Sequence, residues 1–328
     1  MPRGSFLVLR SWTGRGFSGA STKVSRALQR IHGMRPYEAD ADVVLAGDGQ
    51  LLVSTDSFSR EEDFLGGLAP RDMGRLMAYG ACTDILACGA RPEAMTQVWT
   101  YAESEPLAFY EQVALGMQDV LAHYGMKLLG GDVATASEWS WSATVMGHAR
   151  QPVRRVASRR VDFDLYASDP LGAANAAVAL GRPLPIPVRR EPVPSEALFA
   201  TDSSGGLFDA LENFRRVNAG LWMEVDCDHA VAREVVAALP PGVEPGWTLV
   251  GGVGEYALIF AVPTGTAVRG GIQIGRGGFC SECAAPEIRL KMHGHMGRMK
   301  ASPPDWRQVK PTERLSVVAQ YWRELFTE

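Results

Sequence analysis

Apolar residues recur with helical spacing in two long segments of the first half of the chain. Residues 70–90 place Met73, Leu76 and Met77 on one face, which predicts an amphipathic helix. Residues 106–125 predict a second helix, because a proline stands near the start and a glycine stands at the end. These two helices divide a first half that is otherwise made of shorter apolar runs.

The shorter apolar runs predict the strands of a sheet. Within residues 42–56, "VVLA" and "LLVS" flank "GDGQ", which is the pattern of a hairpin with a tight turn. "MTQVWTYA", "KLLGG" and "SATVMGHA" predict three more strands. We expect the "KLLGG" strand to end at Asp132, with a loop of small residues after it. Earlier, "FLVL" fits a short strand or a helix end, and "KVSRALQRI" fits an amphipathic helix.

The second half alternates strands and helices in the same style. "DLYAS", "LFATD", "LWMEVD" and "YALIFAVP" predict strands, and "LGAANAAVAL", the segment after "ATDSSGG" and "AVAREVVAAL" predict helices. We therefore expect an α/β (α+β) protein with two halves, each with strands covered by helices. The predicted parts are a glycine-rich segment and helix at 1–33, an N-terminal domain at 34–150, a C-terminal domain at 151–305 and a C-terminal helix at 306–328.

Composition and charge exclude several classes of protein. The chain has 328 residues, 46% of them hydrophobic and 21% charged, and a net charge of −4, which lacks the basic excess of nucleic-acid-binding proteins. No stretch is long and apolar enough to span a membrane, and the start has no signal-peptide core. We expect a cytoplasmic protein. The basic residues of 150–164 mark the domain junction, and a solvated surface is favoured there over a binding patch.

Cysteines and histidines near the C-terminus leave two interpretations open. The five cysteines are an odd number, which favours reduced thiols over a disulfide framework. Cys280 and Cys283 form C-x2-C, and His293 and His295 follow as H-x-H, so a structural zinc site is the alternative. The spacing is not that of a standard zinc finger, and both rings point the same way only if H-x-H lies on a strand.

Carboxylates stand at similar junctions of apolar segments and glycine-rich turns in both halves. One such aspartate beside a glycine is most often a turn residue. A set of carboxylates gathered on apolar elements instead repels unless a cation neutralises it, and magnesium typically bridges one or two carboxylates to phosphates. The ordered set therefore favours a magnesium nucleotide as the common partner. The acids are Asp40, Asp42, Asp56, Asp84, Asp132, Asp202 and Glu255.

The order of these motifs resembles the aminoimidazole ribonucleotide (AIR) synthetase-like superfamily. "LLVSTDSF", "AYGACTDILACGARP", "LLGGDVA", "LYASDPLGAANAAVAL", "ATDSSGGLFDAL", "GGVGEYALIFAVP" and "IQIGR" follow one another over roughly residues 35–276. Within the superfamily the order is most similar to thiamine-monophosphate kinase and AIR-synthase-related proteins. The resemblance implies an N-terminal domain that forms a β-barrel with a second subunit of a homodimer, and a C-terminal α/β domain beside it.

The same resemblance implies a function and a set of site residues. ATP and several magnesium ions would lie between the domains, and the enzyme would be a phosphotransferase or ATP-using synthetase acting on a small-molecule acceptor. The glycines before Asp132 would let the backbone approach polyphosphate. The implied magnesium ligands are Asp42, Asp56, Asp84 and Asp132, with Asp40 as the alternative register for Asp42. The implied cofactor contacts also include Gly130, Gly131, Asp202 and Ser204.

Departures from the family's pattern bear on the substrate. The kinase pattern D-[IV]-S-D-G-L has an acid where this chain has Gly205. Val133 and Thr135 stand where the kinase often has Thr and Arg, and Asp63 stands where it has His. We therefore expect an acceptor other than thiamine phosphate, and we assign no catalytic residue. The alternative is a non-catalytic relative that binds a nucleotide or acts as a scaffold.

Two weaker motifs complete the sequence. "GRGFSG" matches a dinucleotide-binding loop, but four residues separate it from the apolar run, so the match is weak. The segment resembles the N-terminal lid of selenophosphate synthetase, which implies that Arg15 and Lys23 reach phosphates, and a disordered tail is the alternative. Trp139 and Trp141 alternate with serine, which predicts one strand face in the core or in a dimer barrel, with an aromatic substrate wall as the alternative. The C-terminal helix is expected to dock on the second domain.

Overall fold

The structure is a computed structural model. It describes residues 8–9, 41–46, 49–60, 63, 65, 67–187, 190–239, 243–280, 287–299, 309–310 and 312–327. Several predictions fall outside these residues. They are the "GRGFSG" lid with Arg15 and Lys23, the helix over "KVSRALQRI", Asp40 and Cys283.

Thirteen strands and seven α-helices lie in the described part of the chain. The strands are β1 (Val8–Leu9), β2 (Asp42–Ala46), β3 (Gly49–Ser59), β4 (Pro92–Ala102), β5 (Lys127–Ala136), β6 (Ser140–Ala149), β7 (Phe163–Ala167), β8 (Phe199–Asp202), β9 (Leu221–Asp226), β10 (Leu258–Pro263), β11 (Ile272–Phe279), β12 (Glu287–Met292) and β13 (His295–Arg298). The helices are α1 (Pro70–Ala87), α2 (Leu107–Tyr124), α3 (Ala173–Ala179), α4 (Gly206–Val217), α5 (Cys227–Ala230), α6 (Arg233–Ala238) and α7 (Arg314–Leu325), and a 3-10 turn covers Pro245–Leu249.

The first sheet has six strands in the order β1-β2-β3-β6-β4-β5. All neighbouring pairs are antiparallel except β4 and β5, which run parallel. The predicted hairpin is confirmed, because β2 pairs with β3 from Asp42 opposite Val53 to Ala46 opposite Gly49. The two predicted helices are confirmed as α1 and α2, and Gly125 ends α2 in the left-handed conformation with φ of 68°.

The prediction that the strand ends at Asp132 is wrong. β5 continues to Ala136, so Asp132 lies in the middle of a strand at the sheet edge. The small residues after it pair with β4 through their backbone, which requires no large side chain. A Cβ on Gly131 would lie 1.9 Å from the carbonyl oxygen of Gln97, so close strand pairing already requires that glycine.

α1 lies between the two sheets of the molecule. Every residue from Leu76 to Ala87 is buried, because one side of the helix contacts β3 and β6 and the other contacts β8 and β10. A helix enclosed in this way is apolar on all sides, unlike a surface helix with one apolar stripe. The polar side chains of Thr83 and Asp84 are buried in this enclosed part of α1.

The second sheet has seven strands in the order β13-β12-β9-β11-β7-β10-β8. Its described pairs are antiparallel apart from β9 with β12. The β12–β13 hairpin was not predicted. The segment "AVAREVVAAL" is not one helix, because Leu171 exchanges backbone hydrogen bonds with Ala230 and Ala232 and so separates α5 from α6.

The C-terminal helix α7 docks on the second half, as predicted. Val318, Trp322 and Leu325 are buried in the core that includes β9 and β12. Both sheets of the described residues are open, and neither closes into a barrel within one chain. None of the described helices combines the length and the hydropathy that crossing a membrane requires.

The expectation of five reduced cysteines is wrong at one position. Cys82, Cys88 and Cys227 are buried free thiols, whereas Cys280 is disulfide-bonded. An odd count excludes complete pairing but does not exclude a single bond. His293 lies in the turn before β13 with φ of 49°, and its Nδ1 is 2.9 Å from an oxygen of Asp228. It therefore shares no strand with His295, which begins β13.

Candidate functional site

Two buried carboxylates, one from each half of the molecule, define the candidate site. Asp84 lies on α1 and Asp202 lies at the end of β8, and each is only 5% exposed. Hydroxyl groups of Ser54, Thr83 and Ser204 bind them. We call these five residues the acid pocket.

Hydrogen bonds hold both carboxylates of the acid pocket in place. Ser54 on β3 donates to Asp84 Oδ2. Thr83 Oγ1 lies 2.7 Å from Asp202 Oδ2, and Ser204 Oγ lies 3.0 Å from Asp202 Oδ1. Each hydroxyl thus directs a carboxylate oxygen without neutralising its charge.

The electrostatics of the acid pocket favour a positive ligand. Burial raises the pKa of Asp202, and the nearby charge of Asp56 raises it further, while the hydrogen bond from Thr83 and the charge of Arg155 lower it. Burial disfavours the ionised form of a carboxyl group, and so does a neighbouring negative charge. A cation placed among these acids would relieve both effects.

Arg155 was missed by sequence reasoning. The basic segment 150–164 was interpreted as a solvated surface, but Arg155 is 4% exposed and its Nε donates to Thr201 Oγ1 at 3.0 Å. Its charge lowers the pKa of Asp202. Nothing in the local pattern distinguishes this arginine from its exposed neighbours, because its partner is 46 residues away in sequence.

Asp209 is a second residue that the sequence did not single out. It lies in the first turn of α4, where burial raises the pKa of its carboxyl to about 6. Its carboxylate lies directly against Gly205. The available signal was spacing, because residues four apart on a helix share a face.

The carboxylate of Glu255 has its own partners in the backbone at the start of α3. Its carboxylate accepts hydrogen bonds from the backbone N–H groups of Gly172 at 3.0 Å and Ala174 at 3.2 Å, at the start of α3. Burial raises its pKa to about 7. The backbone N–H of Glu255 also donates to the carbonyl oxygen of Ser203 at 3.1 Å, so Glu255 lies beside the end of the strand that carries Asp202.

Asp132 lies on the opposite face of the first sheet from Asp56. Asp132 pairs with Val98, which pairs with Ser142, whereas Asp56 pairs with Ala143, the next residue of β6. Successive residues of a strand point to opposite faces. Within one chain, Asp132 is therefore not brought together with Asp84 and Asp202, and its assignment as a magnesium ligand stays a prediction.

The other predicted residues are described by their place on a strand or by a contact with nearby backbone. Gly130 is exposed on β5 with φ of 125°, a conformation that favours glycine. The backbone conformation therefore accounts for this glycine without the predicted contact with phosphate. Asp42 lies on β2 opposite Val53. Asp63 Oδ2 accepts a hydrogen bond from the backbone N–H of Ser59 at 2.8 Å, after β3.

The two tryptophans belong to the core, which was the favoured interpretation. Trp139 and Trp141 are 2% and 0% exposed. Trp141 Nε1 donates to Gln97 at 2.8 Å, and its ring packs near Phe58. They therefore form no substrate wall in the described structure.

Sequence comparison identifies the first half of the chain. Residues 38–149 match the family described as AIR synthase related protein, N-terminal domain. This part of the chain belongs to the AIR synthetase-like superfamily. The match contains Ser54, Thr83 and Asp84, so the N-terminal part of the acid pocket lies within the family domain.

Curated relatives match over about a third of the chain. Thiamine-monophosphate kinase from Mycobacterium tuberculosis (strain ATCC 25618 / H37Rv) is 34% identical over 119 residues, which is 35% of this chain and 36% of the relative. Selenide, water dikinase from Trichlorobacter lovleyi is 34% identical over 115 residues, 34% of this chain and 33% of the relative. The chain thus spans about a third of the length of the curated relatives it matches.

Solved structures share the fold over most of the chain. AaThiL complexed with AMPPCP and TMP has a TM-score of 0.74 at 18% identity, covering 88% of this chain and 96% of that one. The HypE-HypF complex gives a TM-score of 0.66 at 16% identity, covering 86% and 99%. At these identities the likeness shows a common fold, and it extends beyond residues 38–149.

Proposed function

We propose that the protein is a magnesium- and ATP-dependent phosphotransferase or ATP-using synthetase that acts on a small molecule. The observation that carries the proposal is the acid pocket, where Asp84 of one half and Asp202 of the other are held by hydroxyl groups. The curated relatives support the reaction class, because they are named as kinases.

The donors of the acid pocket fit magnesium bound together with phosphates. The described residues contain no group of three or more His, Cys, Asp or Glu side chains placed to hold a metal alone. Magnesium instead commonly takes one or two carboxylates and completes its shell with water and substrate phosphates. Asp84 and Asp202 would be those carboxylates, with Asp56 adding negative charge nearby.

The residues of the acid pocket would then position and balance charge. Bound magnesium would neutralise the phosphate oxygens during transfer. Ser54 and Thr83 fix the carboxylates, so that little rearrangement is needed when the nucleotide binds. Arg155 offsets part of the negative charge from the side of Thr201.

The acceptor is proposed to differ from thiamine phosphate. Gly205, Val133 and Thr135 depart from the kinase pattern, and Asp63 binds the backbone of Ser59. An acid near the acceptor would repel a second phosphate, so a substitution of His by Asp changes which acceptors are tolerated. The purified protein should not form thiamine diphosphate efficiently.

The active form is proposed to be a homodimer joined at the first sheet. β5 is exposed along its whole length at the sheet edge, and Leu128, Leu129 and Val133 are 46%, 59% and 66% exposed. An unpaired apolar edge strand is a template for pairing with another chain. Sedimentation at micromolar concentration should give a dimer, and a monomer would contradict this part of the proposal.

Titration of ATP with and without magnesium tests the proposed function. We expect magnesium to tighten ATP binding to the wild type, and Asp84→Asn and Asp202→Asn to weaken that magnesium dependence by about tenfold or more. Glu234→Gln serves as a control, because Glu234 is an exposed acid on α6. Both acid variants should keep their fold by circular dichroism, since the replacement has the same shape.

Turnover separates the enzyme from a non-catalytic relative. The loss of the family's acid at Gly205 favours the second interpretation. ATP consumption in the presence of a panel of small phosphate acceptors supports the enzyme. Magnesium-dependent ATP binding without turnover for any acceptor supports the nucleotide-binding scaffold, and no binding at all contradicts both.

A further inference from the structure

The carboxylate of Asp209 occupies the space next to Gly205 where a side chain would begin. A Cβ built on Gly205 would lie 2.5 Å from Asp209 Oδ2 and 2.7 Å from Asp209 Cγ. Gly205 has φ of −100°, so its backbone conformation does not require glycine. A side chain at position 205 would therefore require the Asp209 side chain to move.

Asp209 belongs to the same electrostatic environment as Asp202. The charge of Asp202 raises the pKa of Asp209, and the charge of Arg155 lowers the pKa of both acids. Asp202 ends β8, and Asp209 lies in the first turn of α4, the helix that follows β8 in the chain. Asp209 is also in the first turn of a twelve-residue helix, where the helix dipole favours a negative group.

A neighbouring amide has an incomplete set of partners. Asn213 Nδ2 donates to Asp209 Oδ2 at 3.3 Å, and Asn213 is 6% exposed. Its Oδ1 has no hydrogen-bond partner within the described part of the chain. An unsatisfied buried acceptor is destabilising, and a water molecule or a cation beside Asp209 would satisfy it.

We propose that Asp209 replaces the family's acid at position 205 and supplies a carboxylate to the magnesium nucleotide site, beside Asp202. The acid has moved from the loop before α4 to the first turn of the helix. The inference rests on the proposed function, and it assigns a residue that the motif does not contain. The position of the Asp209 carboxylate also explains the glycine at position 205, because a side chain there would collide with this carboxylate.

The proposal predicts that a carboxylate at position 205 can take over the role of Asp209. Asp209→Asn keeps the shape and removes the charge. The double variant Gly205→Asp with Asp209→Ala clears the space and places the acid where the family pattern has it. Glu234→Gln is the matched control, because Glu234 is also an acid in the first turn of a helix but is exposed.

The measurement is calorimetric titration of the non-hydrolysable analogue AMPPNP with and without magnesium, with Mn²⁺ binding followed by electron paramagnetic resonance. We expect Asp209→Asn to lower the magnesium-dependent gain in affinity by about tenfold. The double variant should recover to within about threefold of wild type, the range of an ordinary surface change. Thermal unfolding without ligand checks that each variant is folded.

The outcomes separate this inference from the proposed function. If magnesium does not raise the affinity of the wild type for AMPPNP, both the proposed function and the role of Asp209 are overturned. If Asp84→Asn loses the gain and folded Asp209→Asn keeps it, only the role of Asp209 is overturned. If Asp209→Asn loses the gain and the folded double variant does not recover it, the replacement of position 205 is overturned.

Discussion

Thr83 Oγ1 and Asp202 Oδ2 lie 2.7 Å apart across the contact between the two halves of the protein. Thr83 Oγ1 also lies 2.7 Å from the carbonyl oxygen of Gly80. A hydroxyl has one proton, so it donates to only one of these oxygens at a time. The hydroxyl of Thr83 can therefore donate either to Asp202 or to Gly80. A positive ligand bound to Asp202 would favour donation to Gly80.

Replacing Thr83 tests this bridge. Thr83→Val keeps the shape but leaves the Asp202 carboxylate without one donor, so the free energy of unfolding should fall by about 1–3 kcal/mol. Thr83→Ser keeps the hydroxyl and should lie closer to wild type. Urea denaturation measures both, and equal stability of the two variants would show that the hydrogen bond contributes nothing.

Arg190 forms a second connection between the halves. It is 9% exposed, it donates to Asp169, and its Nη1 donates to Tyr79 OH at 3.0 Å. Its backbone carbonyl accepts from Tyr124 OH at 3.0 Å. Tyr79 and Tyr124 belong to α1 and α2, whereas Asp169 belongs to the second half.

Removing this buried cation should be costly. Arg190→Met retains the apolar stem but leaves Asp169 without its partner, and we expect a loss of about 3 kcal/mol or more in the free energy of unfolding. Arg91→Met is the control, because Arg91 is 57% exposed and pairs with Glu191 at 4.0 Å. That surface variant should lose less than about 1 kcal/mol. Similar losses for both would contradict the bridging role.

Glu255 should make stability depend on pH. Its pKa is about 7 in the folded protein against an ordinary value of 4.5, so the folded state binds more protons between these values. Its contribution is fully present below pH 4.5 and declines as the pH rises through 7, by on the order of 3 kcal/mol. Glu255→Gln cannot ionise and should lose that part of the decline. Urea midpoints at pH 5 and pH 7.5 measure it, and an unchanged slope in the variant would contradict the assignment.

Mixed dimers test whether Asp132 acts on the partner subunit. Asp132 and Asp84 are separated within one chain, so a magnesium role for Asp132 requires a site shared between subunits. In a dimer of one Asp84→Asn and one Asp132→Asn chain, a shared arrangement leaves one intact site. Exchanging subunits of the two purified variants should then restore magnesium-dependent ATP binding in part. If a verified mixed dimer shows no recovery of magnesium-dependent ATP binding, Asp132 does not bind magnesium across the subunits and its role is structural.

Local signals in the sequence were sufficient for much of the fold. The hairpin of β2 and β3 follows from "GDGQ", and α2 begins after Pro106 and ends at Gly125 as the pattern predicts. These features depend on residues close together in sequence. The length of β5 could not be predicted in this way, because backbone pairing with β4 determines it.

The candidate site was predicted only in part, for a related reason. Asp84 and Asp202 were singled out by motif, but their hydroxyl partners are determined by contacts between residues far apart in sequence. Thr83 and Asp202 are separated by 119 positions. Arg155 carries no motif, so only its position in space identifies it, whereas the spacing of Asp209 from Gly205 is a signal outside the motif.

The enclosure of α1 has a consequence for fragments of the chain. The family domain ends at residue 149, yet the side of α1 that faces β8 and β10 is covered by residues from beyond that boundary. A polypeptide cut there would expose the surface around Tyr79 and Thr83, whose partners Arg190 and Asp202 lie beyond residue 149. The boundary of the family match is therefore not a folding boundary, and we expect fragment 38–149 to aggregate unless the remainder of the chain is supplied with it.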